Sequence, residues 1–291
     1  MSALDELLAG TPVVLDGAWG TQMQELGLPT GDLPDAWNLL RPNAVREVAR
    51  RYVEAGSTLI LTNTFRGNPV SLAGHGLADR MEEINRAGVR LSREAAAGAA
   101  RVFASIGPSG KMLMGGEVTE ADLQAAFEAQ AGALAAEGAD GIVVETMSDL
   151  DEATIAVRAA KQTGLPVVAS MVFDSGKDHD RTMMGSTPEQ VVVGLEEAGA
   201  DVIGANCGLG IDGYVPVARR LREATTRPVW IKPNAGLPEM VAGRVVYKTT
   251  PGEFASHVPA LQKMGVNFIG GCCGTTPDFI RAVARALGRQ P

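Results

Sequence analysis

The chain has 291 residues, of which 45% are hydrophobic and 21% charged, and its formal net charge is −8. This composition is typical of a globular protein with one large core. The acidic balance argues against a nucleic-acid partner or an anionic membrane surface, and no apolar run is long enough to span a bilayer. The acidic start lacks the basic and apolar regions of a signal peptide, so we expect a cytoplasmic protein.

Eight short apolar runs follow one another along the chain, and each precedes a loop and a helical pattern. The predicted strands cover residues 13–17, 58–65, 101–107, 141–146, 166–173, 201–207, 229–234 and 267–271. The predicted helices cover residues 42–55, 79–97, 120–137, 149–162, 188–198, 213–223, 251–264 and 277–286. Eight strand–helix units favour a closed (β/α)8 TIM barrel. The rival is a doubly wound open sheet, but no glycine-rich dinucleotide motif follows a strand.

Helix boundaries carry their own signals. Thr119, Ser148 and Thr187 precede predicted helices, where their hydroxyl groups can cap the first turn. A glycine ends a helix before the next strand at Gly56, Gly138, Gly199 and Gly265. No linker or change of composition separates two parts, so we expect residues 1–291 to form a single domain. Residues 27–41 and 174–187 are predicted to be long loops on the face that carries function.

The three cysteines lie in two glycine-rich segments, each directly after a predicted strand. Cys207 stands in Gly-Ala-Asn-Cys-Gly, and Cys272 and Cys273 stand in Gly-Gly-Cys-Cys-Gly. Three thiols delivered by strand ends match a catalytic zinc, which has three protein ligands and an open fourth position. The alternative is that the cysteines are buried as small hydrophobic residues. Their odd number and the strain of a vicinal bridge argue against disulfides.

Other polar residues also stand where predicted strands end. They are Asp16, Asn63, Glu145, Asn206 and Asn234. The carboxyl ends of all barrel strands lie on the catalytic face, so we expect these residues to surround one site with the cysteines. Each also has a simpler interpretation: Asp16 in a turn, Glu145 in an ion pair with an arginine, or Asn63 as a loop cap.

Taken together, these motifs resemble the homocysteine S-methyltransferase family. That family includes the homocysteine-binding barrel of cobalamin-dependent methionine synthase and betaine–homocysteine methyltransferase. The matching segments are Asp16-Gly17-Ala18, Gly20-Thr21, Thr62-Asn63-Thr64-Phe65, Gly107-Pro108, Glu145-Thr146, Gly204-Ala205-Asn206-Cys207 and Gly270-Gly271-Cys272-Cys273-Gly274-Thr275-Thr276-Pro277. They occur in the family's order and cover essentially the whole chain, which makes a chance match improbable.

The resemblance implies a metal and a reaction. Cys207, Cys272 and Cys273 would bind Zn²⁺, and the sulfur of homocysteine would take the fourth position as a thiolate. A free thiol is mostly protonated at neutral pH, and coordination to zinc removes that proton. The thiolate would then attack an activated methyl group to give methionine.

The resemblance also implies how the amino-acid end of homocysteine binds. Glu145 would pair with the substrate ammonium, and Asp16 would assist. The backbone N–H groups of Gly17 and Ala18, with the Thr21 hydroxyl, would hold the carboxylate. Weaker candidates for orienting hydrogen bonds are Asn63, Asn206 and Asn234.

The identity of the methyl donor and the oligomeric state are not readable from the sequence. S-methylmethionine, S-adenosylmethionine, a betaine-like compound or a methylated corrinoid protein could each supply the methyl group. The chain ends soon after the eighth predicted helix, so we expect no appended cobalamin or folate domain. A second hypothesis is a component that works only when docked to a separate corrinoid carrier, or that acts on a different thiol acceptor. A third is a zinc- or thiol-binding protein without catalysis, against which the polar residues around the cysteines argue.

Overall fold

The eight predicted strands form one parallel sheet that curls into a barrel. A computed structural model describes residues 3–241 and 244–290. The strands are β1 (Val13–Val14), β2 (Leu59–Leu61), β3 (Arg101–Ile106), β4 (Gly141–Met147), β5 (Val167–Met171), β6 (Val202–Gly210), β7 (Val229–Asn234), β8 (Glu239–Val241), β9 (Arg244–Val246) and β10 (Phe268–Ile269). The sheet order is β1-β10-β7-β6-β5-β4-β3-β2, and β8 and β9 form a separate antiparallel hairpin.

A backbone hydrogen bond joins the two ends of this sheet. The Thr58 amide donates to the Val14 carbonyl at 2.8 Å, which links the approach to β2 with β1. The Leu61 amide donates to a carboxylate oxygen of Asp16 at 2.8 Å, so a side chain completes the seam. These contacts, with the parallel order of the other strands, confirm the predicted TIM barrel.

Helices pack around the barrel, and the first of them places Leu7 among the residues inside it. They are α1 (Ala3–Leu8), α2 (Trp19–Glu25), α3 (Trp37–Leu40), α4 (Pro42–Glu54), α5 (Pro69–Ala73), α6 (Met81–Ala96), α7 (Glu120–Ala136), α8 (Leu150–Lys161), α9 (Pro188–Ala198), α10 (Ile211–Ala224), α11 (Pro251–Ser256), α12 (Val258–Lys263) and α13 (Pro277–Ala286). Short 3-10 helices lie at Pro34–Ala36 and Ala78–Arg80. Among the residues described, no helix has the length and apolar character needed to cross a bilayer.

Two predicted elements differ in the structure. The helix predicted over residues 251–264 is two helices, α11 and α12, and Pro259 stands in the first turn of the second. Pro259 has no N–H to bond the Ala255 carbonyl four residues earlier, so the helical hydrogen bonds are interrupted at His257. The predicted loop 27–41 contains a 3-10 turn and α3, and the hairpin of β8 and β9 was not predicted.

The predicted helix boundaries are largely confirmed. Thr119 and Thr187 each form a capping box with the third residue of the helix that follows. The cap of α8 is Asp149 rather than Ser148, and its side chain accepts from the Asp151 amide. The four glycines predicted to end helices all have positive φ: Gly56, Gly138, Gly199 and Gly265.

Inside the barrel, large aromatic side chains lie next to glycines on the neighbouring strands. Phe103 and Trp230 point inward and are fully buried. A β-carbon at Gly141 would lie 2.5 Å from the Phe103 ring, and one at Gly204 would lie 2.6 Å from the Trp230 carbonyl oxygen. Glycine on one strand therefore makes room for an aromatic side chain or a close backbone on its neighbour.

We expect Phe103→Ala to lower the free energy of unfolding by about 3–5 kcal/mol, because it empties the centre of the barrel. Urea unfolding followed by circular dichroism measures this change. Met114→Ala is the matched control, since Met114 is 77% exposed and its truncation leaves no cavity. Equal stability of the two variants would contradict this account of the core.

Candidate active site

Three sulfur atoms meet at the carboxyl ends of the strands. The Sγ atoms of Cys207, Cys272 and Cys273 all lie within 4.8 Å of one another. The Sγ atoms of Cys207 and Cys273 are 4.0 Å apart, and all three cysteines are free and partly buried. The structure therefore brings together the three residues that the sequence predicted as one ligand set.

An irregular end of β6 aims Cys207 at this point. The ladder between β6 and β7 shifts register between Cys207 and Gly210, and Cys207 has a φ of 64°. Left-handed backbone is unfavourable for a residue with a side chain, and such strain clusters at functional sites. The Asn234 side chain donates to the Gly208 carbonyl at 2.9 Å and thereby supports the turn.

The Cys272-Cys273 turn is held by backbone contacts. The Cys272 amide donates to the Pro233 carbonyl at 2.7 Å, and the Ala235 amide donates to the Cys273 carbonyl at 2.9 Å. The Thr275 hydroxyl donates to the Cys272 carbonyl at 2.7 Å. The end of β7 thus holds both thiols beside Cys207.

The proximity of the thiols decides how they ionise. Hydrogen bonds from Cys272 and Cys273 lower the pKa of Cys207 to about 3. The same interaction, now with a neighbouring thiolate, raises the pKa of Cys272 to about 11 and that of Cys273 well above its usual range. By itself the cluster thus stabilises one thiolate and opposes a second and a third. A bound cation is what would let all three ionise.

Asp16 lies under the site and binds an internal cation. Its Oδ1 atom is 2.9 Å from Nζ of Lys232, and both side chains are almost completely buried. Its Oδ2 atom accepts from the Trp19 indole at 2.8 Å and from the Leu61 amide at 2.8 Å. Burial lowers the pKa of Lys232, but the carboxylates of Asp16 and Glu145 outweigh it and raise that pKa above its usual range.

Glu145 forms no ion pair with any residue that the structure describes. Its carboxylate accepts from the Ser105 hydroxyl at 2.5 Å, and only 7% of the residue is exposed. Burial raises its pKa to about 7, although the charge of Lys232 opposes the rise. The next residue, Thr146, has a φ of 61° at a bulge in β4, so the backbone leaves regular strand geometry here too.

Asn206 connects the irregular ends of β4 and β6. Its Oδ1 atom accepts from the Thr146 amide at 2.9 Å and from the Ser170 hydroxyl at 2.7 Å. Its Nδ2 atom donates to the Thr146 hydroxyl at 2.7 Å and lies 3.9 Å from Sγ of Cys272. These contacts place Asn206 in the scaffold under the sulfurs.

The turn after β1 lies beside the cysteine turn. The Ala18 amide donates to the Thr275 carbonyl at 3.2 Å, so this N–H group is already bonded. The Thr21 hydroxyl accepts from the Gly274 amide at 3.2 Å and keeps its own hydrogen to donate. A β-carbon at Gly17 would lie 2.8 Å from the Tyr52 ring, which explains why this position is glycine.

Asn63 and Asn234 have different surroundings. Both N–H bonds of the Asn63 amide are used, to the Pro34 carbonyl at 2.8 Å and to Asn38 Oδ1 at 2.9 Å. Asn63 therefore stabilises the segment around Pro34 and Asn38, which follows β1. The Oδ1 atom of Asn234 is buried and has no hydrogen-bond partner among the described residues. That oxygen stands on the residue that supports the Cys207 turn.

Sequence reasoning missed two residues of the site. Lys232 interrupts a buried strand, and a charged residue in an apolar run is a signal that could have found it. Tyr247 follows the β8–β9 hairpin, and a β-carbon at Gly274 would collide with its ring. Burial and the neighbouring Cys273 and Cys207 sulfurs raise the pKa of Tyr247 above its usual range. No local pattern marks Tyr247, because its loop approaches the cysteines only in the folded chain.

Two surface features surround the site. A groove of about 510 Å³ lies beyond the end of β6, and its lining includes Leu209, Asp178, Asp180, Asp212 and Glu239. Exposed apolar side chains also lie in the loops after β3, β5 and β7: Met112, Met114, Met183, Leu237, Met240 and Val245. Lys248 lines the same groove and pairs with Glu239, so the face that carries the sulfurs has a groove with charges of both signs and an apolar rim.

Comparison with known proteins defines the class of the molecule. The profile of the homocysteine S-methyltransferase family matches residues 13–287, so the chain belongs to this family. This confirms the resemblance read from the sequence.

Particular relatives are of two kinds. The chain is 33% identical to the methionine synthase of Mycobacterium leprae and 32% identical to that of Mycobacterium tuberculosis. These matches cover 98% and 97% of the chain but 25% of each relative, so the chain spans about a quarter of their length. The metallated form of the homocysteine methyltransferase MmuM from Escherichia coli has the same fold, with a TM-score of 0.82 and 24% identity. That alignment covers 97% of this chain and 99% of MmuM.

The raised pKa of Glu145 predicts a stability effect with a definite sign. Its pKa of about 7 lies above the ordinary 4.5, so the folded protein loses stability as the pH rises from about 4.5 to 7. In metal-free protein, Glu145→Gln should therefore raise the free energy of unfolding by about 2–3 kcal/mol at pH 8 and leave it unchanged at pH 4. Urea titrations at both pH values measure the difference.

Glu128→Gln is the control for this prediction. Hydrogen bonds from Gln124 and Gln162 lower the pKa of Glu128, so the control has the opposite sign and should show no gain at pH 8. A Glu145→Gln variant that is no more stable than the wild type at pH 8 would show that the carboxyl is not penalised by burial.

Proposed function

We propose that this chain is a zinc-dependent S-methyltransferase that transfers a methyl group to the thiol of homocysteine and releases methionine. The observation that carries the proposal is the convergence of three cysteine sulfurs within 4.8 Å at the carboxyl ends of the strands. Membership of the homocysteine S-methyltransferase family supports the acceptor. We further propose that residues 1–291 act as one domain, in a reducing compartment such as the cytoplasm, where thiols persist.

The donor set fits Zn²⁺. Sulfur ligands at about 2.3 Å in a tetrahedron lie about 3.8 Å apart, close to the 4.0 Å between Cys207 and Cys273. The mutual pKa shifts of the thiols are those of a cluster that needs a cation to ionise fully. The buried Asn234 Oδ1 atom, which lacks a partner, adds a neutral oxygen near the cluster. Three thiolates and one open position match a catalytic rather than a structural site.

Cys207, Cys272 and Cys273 would hold the zinc, and its charge would favour the thiolate form of the substrate sulfur, which is the nucleophilic form of a thiol. The protein's own residues would orient the rest of homocysteine. Glu145 offers the substrate ammonium a buried carboxylate that forms no ion pair within the described part of the chain. The Gly17 amide and the Thr21 hydroxyl remain available as donors to the substrate carboxylate, whereas the Ala18 amide is bonded to Thr275.

A positively charged small molecule is the favoured methyl donor. Three cysteine thiolates on Zn²⁺ carry one net negative charge, and a substrate thiolate makes it two. The groove beyond β6 is lined by Asp178, Asp180, Asp212, Glu239 and Lys248; Lys248 pairs with Glu239 and Arg220 with Asp180, so Asp178 and Asp212 are the carboxylates that add to the negative potential on this face. Sulfonium and quaternary ammonium compounds would therefore be attracted to the site.

The second candidate is a barrel that receives its methyl group from a separate corrinoid protein. The exposed methionine, leucine and valine side chains in the loops after β3, β5 and β7 favour this alternative, since an apolar rim suits contact with another protein. The methionine synthase relatives are about four times longer than the matched region, which leaves room in them for further domains.

A donor screen tests both candidates. Zinc-loaded protein is incubated with homocysteine and, in turn, S-methylmethionine, S-adenosylmethionine, glycine betaine and a methylated corrinoid protein, and methionine is measured by mass spectrometry. Turnover with a small cation supports the first candidate, and turnover with the corrinoid protein alone supports the second. Homocysteine binding without methionine from any donor would contradict the methyltransferase proposal.

Cys273→Ser should lose most of its zinc, because a neutral hydroxyl replaces one of the three thiolates. Metal analysis after dialysis gives the stoichiometry, for which we expect about one zinc per wild-type chain. The fold should survive, since the barrel has its own core. Met183→Ala is the control, because Met183 lies in the loop after β5 and offers no thiolate. Full zinc retention by Cys273→Ser would remove this residue from the ligand set.

Glu145→Gln should weaken homocysteine binding at least tenfold and leave the zinc content unchanged. The substitution keeps the shape of the side chain and removes the charge that pairs with the ammonium. Calorimetric titration of zinc-loaded protein measures the affinity. An unchanged dissociation constant would exclude Glu145 from ammonium binding.

A further inference from the structure

Lys232 is a buried cation to which the proposed chemistry assigns no role. It lies on β7 opposite Asn206 of β6, and 3% of its side chain is exposed. Its Nζ atom is 2.9 Å from Asp16 Oδ1 and donates to the Gly17 carbonyl at 3.4 Å. A lysine is rarely buried this completely, and here one ammonium group contacts two successive residues of the turn after β1.

This turn is the part of the site that would receive the substrate carboxylate. Asp16 is held on its other oxygen by the Trp19 indole and the Leu61 amide. The Tyr52 hydroxyl donates to the Ala18 carbonyl at 2.8 Å on the far side of the turn. Lys232 therefore supplies the contact from β7, past the intervening strand β10, that holds Asp16 and Gly17 in place.

The two buried carboxylates of the site differ in whether the protein neutralises them. Asp16 and Lys232 form an ion pair and cancel each other. Glu145 forms no ion pair among residues 3–241 and 244–290, and its neighbour is the neutral Ser105 hydroxyl. One buried carboxylate is thus neutralised by the protein, and the other remains for a cation from outside.

We propose that Lys232 is a positioning residue for the carboxylate end of the substrate. It neutralises Asp16 and fixes the Asp16-Gly17 turn, so that the Gly17 amide and the Thr21 hydroxyl face a carboxylate and Glu145 alone faces an ammonium. The site then selects thiols that carry both an α-ammonium and an α-carboxylate. This inference rests on the proposed binding of homocysteine, and it moves Asp16 from the substrate to the scaffold.

Two truncated thiols separate the two ends of the substrate. 4-Mercaptobutanoate is homocysteine without its ammonium, and 3-aminopropane-1-thiol is homocysteine without its carboxylate. Calorimetric titration of zinc-loaded protein with each thiol needs no methyl donor. Lys232→Met should weaken binding of homocysteine and 4-mercaptobutanoate about tenfold or more and change the binding of 3-aminopropane-1-thiol much less, because Lys232 contacts the carboxylate turn but acts on Glu145 only through its charge. Glu145→Gln should do the reverse with the two truncated thiols.

The controls separate this role from a structural one. Removal of one partner of a buried ion pair is strongly destabilising, whereas removal of both is tolerated. If Lys232→Met does not fold, Asp16→Asn/Lys232→Met leaves no unpaired charge and should show the same selective loss of carboxylate binding. An equal loss for both truncated thiols, or wild-type affinities in the double variant, would overturn the proposal.

The outcome for the wild type distinguishes this inference from the proposed function. Wild-type protein that binds homocysteine but makes no methionine with any donor contradicts the methyl-transfer step alone. Wild-type protein that does not bind homocysteine contradicts both.

Discussion

The active site depends on the position of β7 between β6 and β10. Cys207 and the Cys272-Cys273 pair are separated by more than sixty residues, and both contact Pro233. Pro233 of β7 is the register partner of Cys207 in β6, and the Pro233 carbonyl accepts from the Cys272 amide at 2.7 Å. A slip of either strand along β7 would move one set of thiols away from the other.

Charge balance is the second constraint on this site. The mouth of the barrel collects three thiols and two buried carboxylates, and among the described residues Lys232 is the buried cation that meets them. Like charges this close oppose one another, so the folded protein must protonate some of these groups or bind cations. The structure neutralises Asp16 internally. Under the proposed function, a metal would neutralise the thiols and a substrate ammonium would neutralise Glu145. Substrate and metal would thus stabilise the fold as well as react in it.

The backbone is irregular next to the thiol cluster and next to Glu145. Cys207 and Thr146 have positive φ at bulges in β6 and β4, and the Asn206 side chain bonds to Thr146 beside Cys207. Regular strands would point successive side chains alternately into the barrel and away from it. The bulges release Glu145 and Cys207 from that alternation so that they face one site. Each bulged strand pairs with a strand whose other ladder is regular, since β5 pairs in register with β6 and β7 with β10. These regular ladders hold the strained backbone in place.

The sequence by itself determined the alternation of eight strands and their helices, because apolar runs and capping residues are local signals. Thr119 and Thr187 mark helix starts through contacts with residues three positions away, and these were predicted correctly. The three cysteines could also be assigned to one site, since parallel strands of a barrel share one catalytic face.

Only the tertiary structure decided which polar groups of the site are already bonded to other residues of the protein. Asp16 and Glu145 are both carboxylates at strand ends, and no local pattern distinguishes them. The fold places Lys232, more than two hundred residues later, against Asp16, and it leaves Glu145 with a hydroxyl. The Ala18 amide is likewise bonded to Thr275 from the other end of the chain. Hydrogen bonds and ion pairs between distant segments depend on the packing of the whole barrel. Sequence patterns could therefore locate the site, but they could not show which of its polar residues are already bonded within the protein and which are free to bind a substrate.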